Sequence, residues 1–188
     1  MDKQTQRARA IAARRAMPAE VRADASAALC RRLMERPELL GAKTVFSYLS
    51  MPEEADLSAL HEWLLDRNCT VAFPVTQADG IMQAYAPDRP WRFEFGPFGI
   101  RAPIPAESEL IPPEEIDLVL VPCVAFDSGC RRLGHGGGYY DRYLTRCPNA
   151  VRIGVAFETQ QLPEIVCGGL DVPMHAFVTE QCVYRPKK

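Results

Sequence analysis

The run Ile116 to Phe126 (IDLVLVPCVAF) is rich in β-branched residues, and eight residues after it begins a loop holding four glycines, Gly134, Gly136, Gly137 and Gly138. Such a run, bounded by turn signals, has the pattern of a buried strand, and Tyr139 to Cys147 beyond the loop has the spacing of a short helix. A strand buried on both faces must be covered on both sides. The local reading is strand, glycine loop, helix, and it sets the expectation for the rest of the chain.

Further strands are expected at Thr44–Ser50, Thr70–Val75, Met82–Ala86, Val151–Phe157 and Ala176–Tyr184. Helices are expected at Lys3–Met17 and Ala19–Glu35, broken at Pro18, and at Asp56–Arg67. The second shows Val21, Ala25, Ala28, Leu29 and Leu33 on one face. Strands alternating with helices at this spacing imply an α/β fold with a mainly parallel sheet in a three-layer sandwich. At 188 residues the chain has the size of one domain, residues 1–188. The interval Pro87–Pro113 holds seven of the sixteen prolines together with Trp91, Phe93, Phe95 and Phe98, which suggests an irregular flap that packs on the sheet.

The formal charge of −2 is unevenly spread: residues 1–36 carry net +5, residues 37–128 net −10 and the remainder +3. Two basic ends can converge on an anion, while the acidic middle excludes a uniformly basic nucleic-acid surface. Seven cysteines without a C-x-x-C pair point to a reducing, cytoplasmic setting and away from structural zinc. No window approaches a membrane span. The Arg- and Ala-rich start also has the look of a transit peptide, against which stand Asp2, Glu20 and Asp24.

Closely spaced glycines let backbone amides approach an anion, so Gly134, Gly136, Gly137 and Gly138 are natural phosphate contacts. An ordinary tight turn explains them as well. The loop lacks the Gly at Tyr139 that a dinucleotide fingerprint needs, and the Lys after Gly138 that a P-loop needs. Arg131 and Arg132 favour phosphate, because guanidinium groups bind it bidentately. Lys3 and Arg7, four apart, share a helical face that is either a solvated basic face or a second source of phosphate contacts. Cys123 lies in the apolar run and reads as inert core, and His61, His135 and His175 lack metal spacing.

The segment Arg132 to Asp141 (RLGHGGGYYD), after a strand ending Ala125-Phe126-Asp127, resembles the 5-formyltetrahydrofolate cyclo-ligase family, also called methenyltetrahydrofolate synthetases. The likeness covers almost the whole chain: Lys3 and Arg7 before Arg15-Ala16-Met17; Leu49, Ser50, Met51 and Glu54; Ala156-Phe157-Glu158 with Gln160; Asp171; and Val178-Thr179-Glu180. The family's glycine two residues before the motif Arg stands here three before, at Gly129, so the role of Arg131 is open.

The resemblance implies a fold of the sugar-phosphate isomerase and coenzyme A transferase kind, and ATP-dependent closure of 5-formyltetrahydrofolate to 5,10-methenyltetrahydrofolate with Mg2+ as cofactor. It implies ATP contacts from Lys3, Arg7 and the stretch Arg132, Leu133, Gly134, His135, Gly136, Gly137, Gly138, Tyr139 and Tyr140. Arg132, Tyr140 and Asp141 would serve the chemistry. Asp141 and Asp171 would hold the metal, with Asp127 a weaker candidate. Leu49, Met51 and Glu54, with Tyr139 and Tyr140, would hold the folate. Each has a plainer competitor: Asp141 as a helix cap, Glu54 as a charge at a helix N-terminus, Leu49 as core, and one of the two tyrosines packed inward. The expected partners are small-molecule substrates, without nucleic acid or membrane, in a monomer or weak homodimer. Two rivals remain, another ATP-dependent phosphoryl-transfer enzyme with a changed second pocket and a non-catalytic nucleotide- or RNA-binding module.

Overall fold

The structure, a computed structural model, describes residues 1–77, 80–96 and 99–186; Phe98 lies outside them. Helix α1 (Lys3–Arg15) starts where the Asp2 carboxylate accepts the Thr5 N–H at 2.7 Å. Pro18, lacking an N–H and fixed in φ, separates it from α2 (Ala19–Met34). A single turn, α3 (Pro37–Leu40), leads to β1 (Thr44–Phe46), and α4 (Ser58–Asp66) to β2 (Thr70–Thr76) and β3 (Met82–Pro87). The proline-rich interval contains a small hairpin, β4 (Phe93–Phe95) with β5 (Arg101–Pro103), and a strand β6 (Ser108–Ile111). After β7 (Leu118–Pro122) come a second hairpin, β8 (Ala125–Phe126) with β9 (Arg132–Leu133), then α5 (Tyr139–Leu144), β10 (Val151–Val155), β11 (Ala176–Val178) and β12 (Val183–Tyr184).

Eight of these strands form one sheet in the order β12-β11-β10-β7-β1-β2-β3-β6. Its middle is parallel; β12 and β3 run against it at the two sides, and β6, paired antiparallel to β3, runs with it again. Because side chains alternate along a strand, Leu118 and Leu120 enter one core with Leu29, Leu33, Leu60 and Leu64 of α2 and α4. Val119 and Val121 enter the other with Tyr143 and Leu144 of α5. That two-sided burial gives the α/β sandwich its three layers. Each such aliphatic side chain contributes about 1.5–3 kcal/mol by leaving water. Helix α1 packs separately, placing Ala10 against Val124, Ala125 and Leu133.

Several elements differ from the sequence expectation. The strand from Thr44 stops at Phe46, although Ser47 N–H still bonds to Ala72 O at 2.8 Å. The run to Phe126 is broken after Pro122, because the chain leaves the sheet to form the β8–β9 hairpin. The long strand expected over Ala176–Tyr184 is two short ones folded back on each other. The flap is less irregular than its prolines suggested: Trp91 and Phe93 pack edge-on against Phe73 of β2, while Phe95 is exposed.

Candidate active site

The β8–β9 turn is built around Asp127. Its Oδ1 accepts from the Gly129 and Arg131 N–H groups, and its Oδ2 from Arg131 Nε at 2.6 Å and Ile165 N at 2.8 Å. Only 1% of Asp127 is exposed, so it is a hairpin residue and is withdrawn as a magnesium candidate. Arg131 spends its guanidinium on Asp127 and Glu164. Its neighbour Arg132 goes the other way and is buried, with Nη2 donating to Asp141 Oδ1 at 2.7 Å.

From β9 the chain enters the glycine loop. Leu133 sends its side chain into the core beside α1, so any contact it makes with a ligand is through the backbone. Gly136 (φ +106°) and Gly138 (φ +67°) hold left-handed backbone that other residues rarely adopt. At Gly137 a Cβ would lie 2.9 Å from the Tyr139 ring. Helix α1 faces the loop: Arg7 Nε donates to Gly134 O at 2.9 Å, and Lys3 Nζ meets Asp171 Oδ2 at 2.5 Å. Burial works against the Asp171 carboxylate, but the Lys3 and Gly168 hydrogen bonds outweigh it and hold the group below its usual 3.8. The Val172 N–H donates to Asp141 Oδ1 at 3.0 Å, which brings Asp141 and Asp171 to one place beside Arg132.

Glu54 follows β1, in the loop before α4. Its side chain is 8% exposed, Oε2 accepts the Met51 N–H at 3.1 Å, and Oε1 lies 3.9 Å from His135 Nε2 and 3.8 Å from Arg14 Nη1. His135 thus brings the glycine loop within 3.9 Å of the Glu54 carboxylate. Tyr140 packs on Phe46 with the Arg132 guanidinium over its ring, whereas Tyr139 carries Arg142 over its ring. Burial raises the Tyr140 phenol above its usual range; Glu54 adds to the rise and Arg132 opposes it, so the carboxylate and the loop cation act on the same group. Cys123, buried and within the electrostatic reach of both, is pushed up to about 12 by desolvation and stays a thiol. Leu49 is half-buried against the α2–α4 core.

Arg14, Tyr48 and Arg142 were not foreseen. Tyr48 is buried and donates to Ala55 O at 3.1 Å beneath Glu54. Arg142 ties the loop to the β2–β3 turn, with Nη2 donating to Gly137 O and Gly80 O, each at 2.9 Å. The sequence carried one signal for Arg14: Lys3, Arg7 and Arg14 fall at helical spacing on one face of α1.

The 5-formyltetrahydrofolate cyclo-ligase family model matches residues 1–180. The chain belongs to this family. A 5-formyltetrahydrofolate cyclo-ligase of Haemophilus influenzae is 33% identical over 139 residues, 71% of this chain and 73% of that protein. A probable 5-formyltetrahydrofolate cyclo-ligase of Schizosaccharomyces pombe is 31% identical over 176 residues, 85% and 86% of the two chains. Among solved structures, a 5,10-methenyltetrahydrofolate synthetase of Aquifex aeolicus superimposes with a TM-score of 0.87 at 31% identity, covering 100% of this chain and 94% of that one. A Mycoplasma pneumoniae 5,10-methenyltetrahydrofolate synthetase, at 23% identity and TM-score 0.78 over 96% and 99% of the chains, shares the fold. Membership makes this chain a ligase of folate one-carbon metabolism, and the activity it supports is ATP-dependent cyclisation of 5-formyltetrahydrofolate to 5,10-methenyltetrahydrofolate. No described helix is long and apolar enough to cross a membrane.

Proposed function

We propose that residues 1–188 act as one cyclo-ligase domain in which ATP phosphates lie along the glycine loop and the folate lies against Glu54. The observation that carries the reading is convergence: Arg132 of β9, Tyr140 and Asp141 of α5, and Glu54 of the loop before α4 come from three separate stretches of chain yet act on one another. In this reading the amides of residues 134–138, with Lys3 and Arg7 from α1, hold the triphosphate. Glu54 accepts from the amino and ring N–H donors of the pterin, Met51 and Leu49 give it apolar contact, and Tyr140 lies between the two substrates.

A formamide oxygen is a poor leaving group. Its attack on the γ-phosphorus releases ADP and converts it to a phosphate ester on an iminium carbon, which N10 of the folate then attacks. Phosphate departs with the former formyl oxygen, and N10 gives up its proton. The chain supplies no covalent nucleophile; its work is to align formyl oxygen and γ-phosphate and to balance negative charge in a site from which water is kept. In this reading Arg132, buried beside the glycine loop, serves the second task. The raised Tyr140 phenol keeps its proton at neutral pH and can donate a hydrogen bond to a phosphate or formyl oxygen.

Among the described residues no group of three or more His, Cys, Asp or Glu is arranged to hold a metal unaided. That suits Mg2+, which takes one or two carboxylates and completes its shell with phosphate oxygens and water. Asp141 and Asp171 fit, since the contacts described for each use one oxygen, Oδ1 of Asp141 and Oδ2 of Asp171. When bound, the ion supplies charge neutralisation on the phosphates. The reading includes a monomer or weak homodimer in the cytoplasm, without a nucleic-acid partner, in keeping with the acidic middle of the chain.

Mixing the purified protein with Mg-ATP and 5-formyltetrahydrofolate should produce the near-ultraviolet absorbance of the methenyl product, and omission of ATP should abolish it. A folded protein that gives no product, or gives it without ATP, contradicts the proposal.

A further inference from the structure

Arg14 closes the last turn of α1 with its side chain 3% exposed, yet its Nε and Nη1 are buried without a hydrogen-bond partner among the described residues. Unmatched charged donors are costly, and a buried guanidinium needs a nearby carboxylate to offset its lost hydration. Two stand in range: Glu53 Oε2 lies 3.7 Å from Nη2, and Glu54 Oε1 lies 3.8 Å from Nη1. Glu53 already has the neighbouring Arg15 at 2.9 Å and is 34% exposed, against 8% for Glu54. The uncompensated part of the Arg14 charge therefore bears on Glu54. There the Met51 N–H occupies Oε2, so the two oxygens are held from different sides. Arg14 also acts on Cys123 together with Arg132 and Glu54, which places its charge within the site and not on an unrelated stretch of core.

We infer that Arg14 is a positioning residue for folate recognition: it balances the shielded Glu54 carboxylate and fixes its plane, so that the carboxylate meets the pterin donors without first having to reorient. The inference rests on the reading of Glu54 as the folate-binding carboxylate. At 3.8 Å the contact is Coulombic rather than a hydrogen bond.

A double-mutant cycle on the Michaelis constants tests this. In the otherwise native chain Arg14→Met should raise the 5-formyltetrahydrofolate KM about tenfold, as expected for loss of a charged partner. The ATP KM should stay within about twofold. In a Glu54→Gln background the same change should move the folate KM by less than about twofold, because the partner is gone. Arg14→Lys, which keeps the charge without the planar fork, should fall between, at about threefold. Additive effects, as core packing alone would give, overturn the inference, and so does a rise in ATP KM in place of folate KM. Should circular dichroism show Arg14→Met unfolded, the cycle is run with Arg14→Lys, and an unchanged folate KM there overturns it. A Glu54→Gln variant with wild-type folate KM refutes the reading of Glu54 itself, a result distinct from either.

Discussion

Replacing Arg132 by Met removes the cation at the root of the glycine loop while keeping much of its stem. Arg132 and Asp141 side chains are 5% and 21% exposed and 2.7 Å apart. Deleting one partner of a fully buried pair costs about 3–5 kcal/mol. Here Asp141 is partly hydrated and keeps the Val172 N–H on the same oxygen, which lowers the cost to about 2 kcal/mol. In a chain of this size that is a fall in Tm of about 4–8 °C. Catalysis should suffer more, because a charge fixed beside the transferring phosphoryl is worth about 10²–10³ in kcat. Thermal melts followed by circular dichroism give the first quantity, and absorbance of the methenyl product at saturating Mg-ATP and folate gives the second. A folded Arg132→Met enzyme with kcat within about threefold of wild type refutes the role given to this guanidinium.

Gly137→Val places a side chain where Cβ alone lies 2.9 Å from the Tyr139 ring, so the loop must move and the ATP KM should rise at least about tenfold; unchanged ATP kinetics in a folded variant count against the cradle. In the core, a Cβ at Gly154 would lie 2.2 Å from the Phe177 ring, and Gly154→Ala should destabilise by about 1–3 kcal/mol in urea titrations; wild-type stability would mean that Phe177 can turn aside freely. His61 is buried, hydrogen-bonded to Ser47 Oγ at 2.7 Å, and its pKa is pushed down by burial to about 4, with Asp56 opposing. The unfolded chain takes up this proton near pH 6.5. The stability from neutral His61 is therefore fully present above that pH and lost as pH falls to about 4, with an upper limit of roughly 3 kcal/mol. His61→Gln should flatten the stability profile across that window, and an unchanged slope would show that other groups set it.

The strand-and-helix skeleton was readable because burial on two faces leaves long β-branched runs, as at Leu118 to Val121. Element ends were not, since Phe46 and Pro122 stop strands for tertiary reasons: the chain must leave the sheet to build the two site loops. The glycine segment was legible because its chemistry is contiguous. Arg131 and Arg132 look equivalent in sequence, but they point to opposite sides of the hairpin, and only Asp127 decides which is spent on structure. Arg14 was passed over for a related reason. Its partner Glu54 is forty residues away, and a basic residue near a helix end looks solvated until burial is known.

Isotope transfer tests the account most directly. With 18O in the formyl group of 5-formyltetrahydrofolate, phosphoryl transfer onto that oxygen predicts one labelled atom in each inorganic phosphate released, readable by mass spectrometry. Label recovered in water, with unlabelled phosphate, would contradict a site built to bring the γ-phosphate of ATP onto the formyl group.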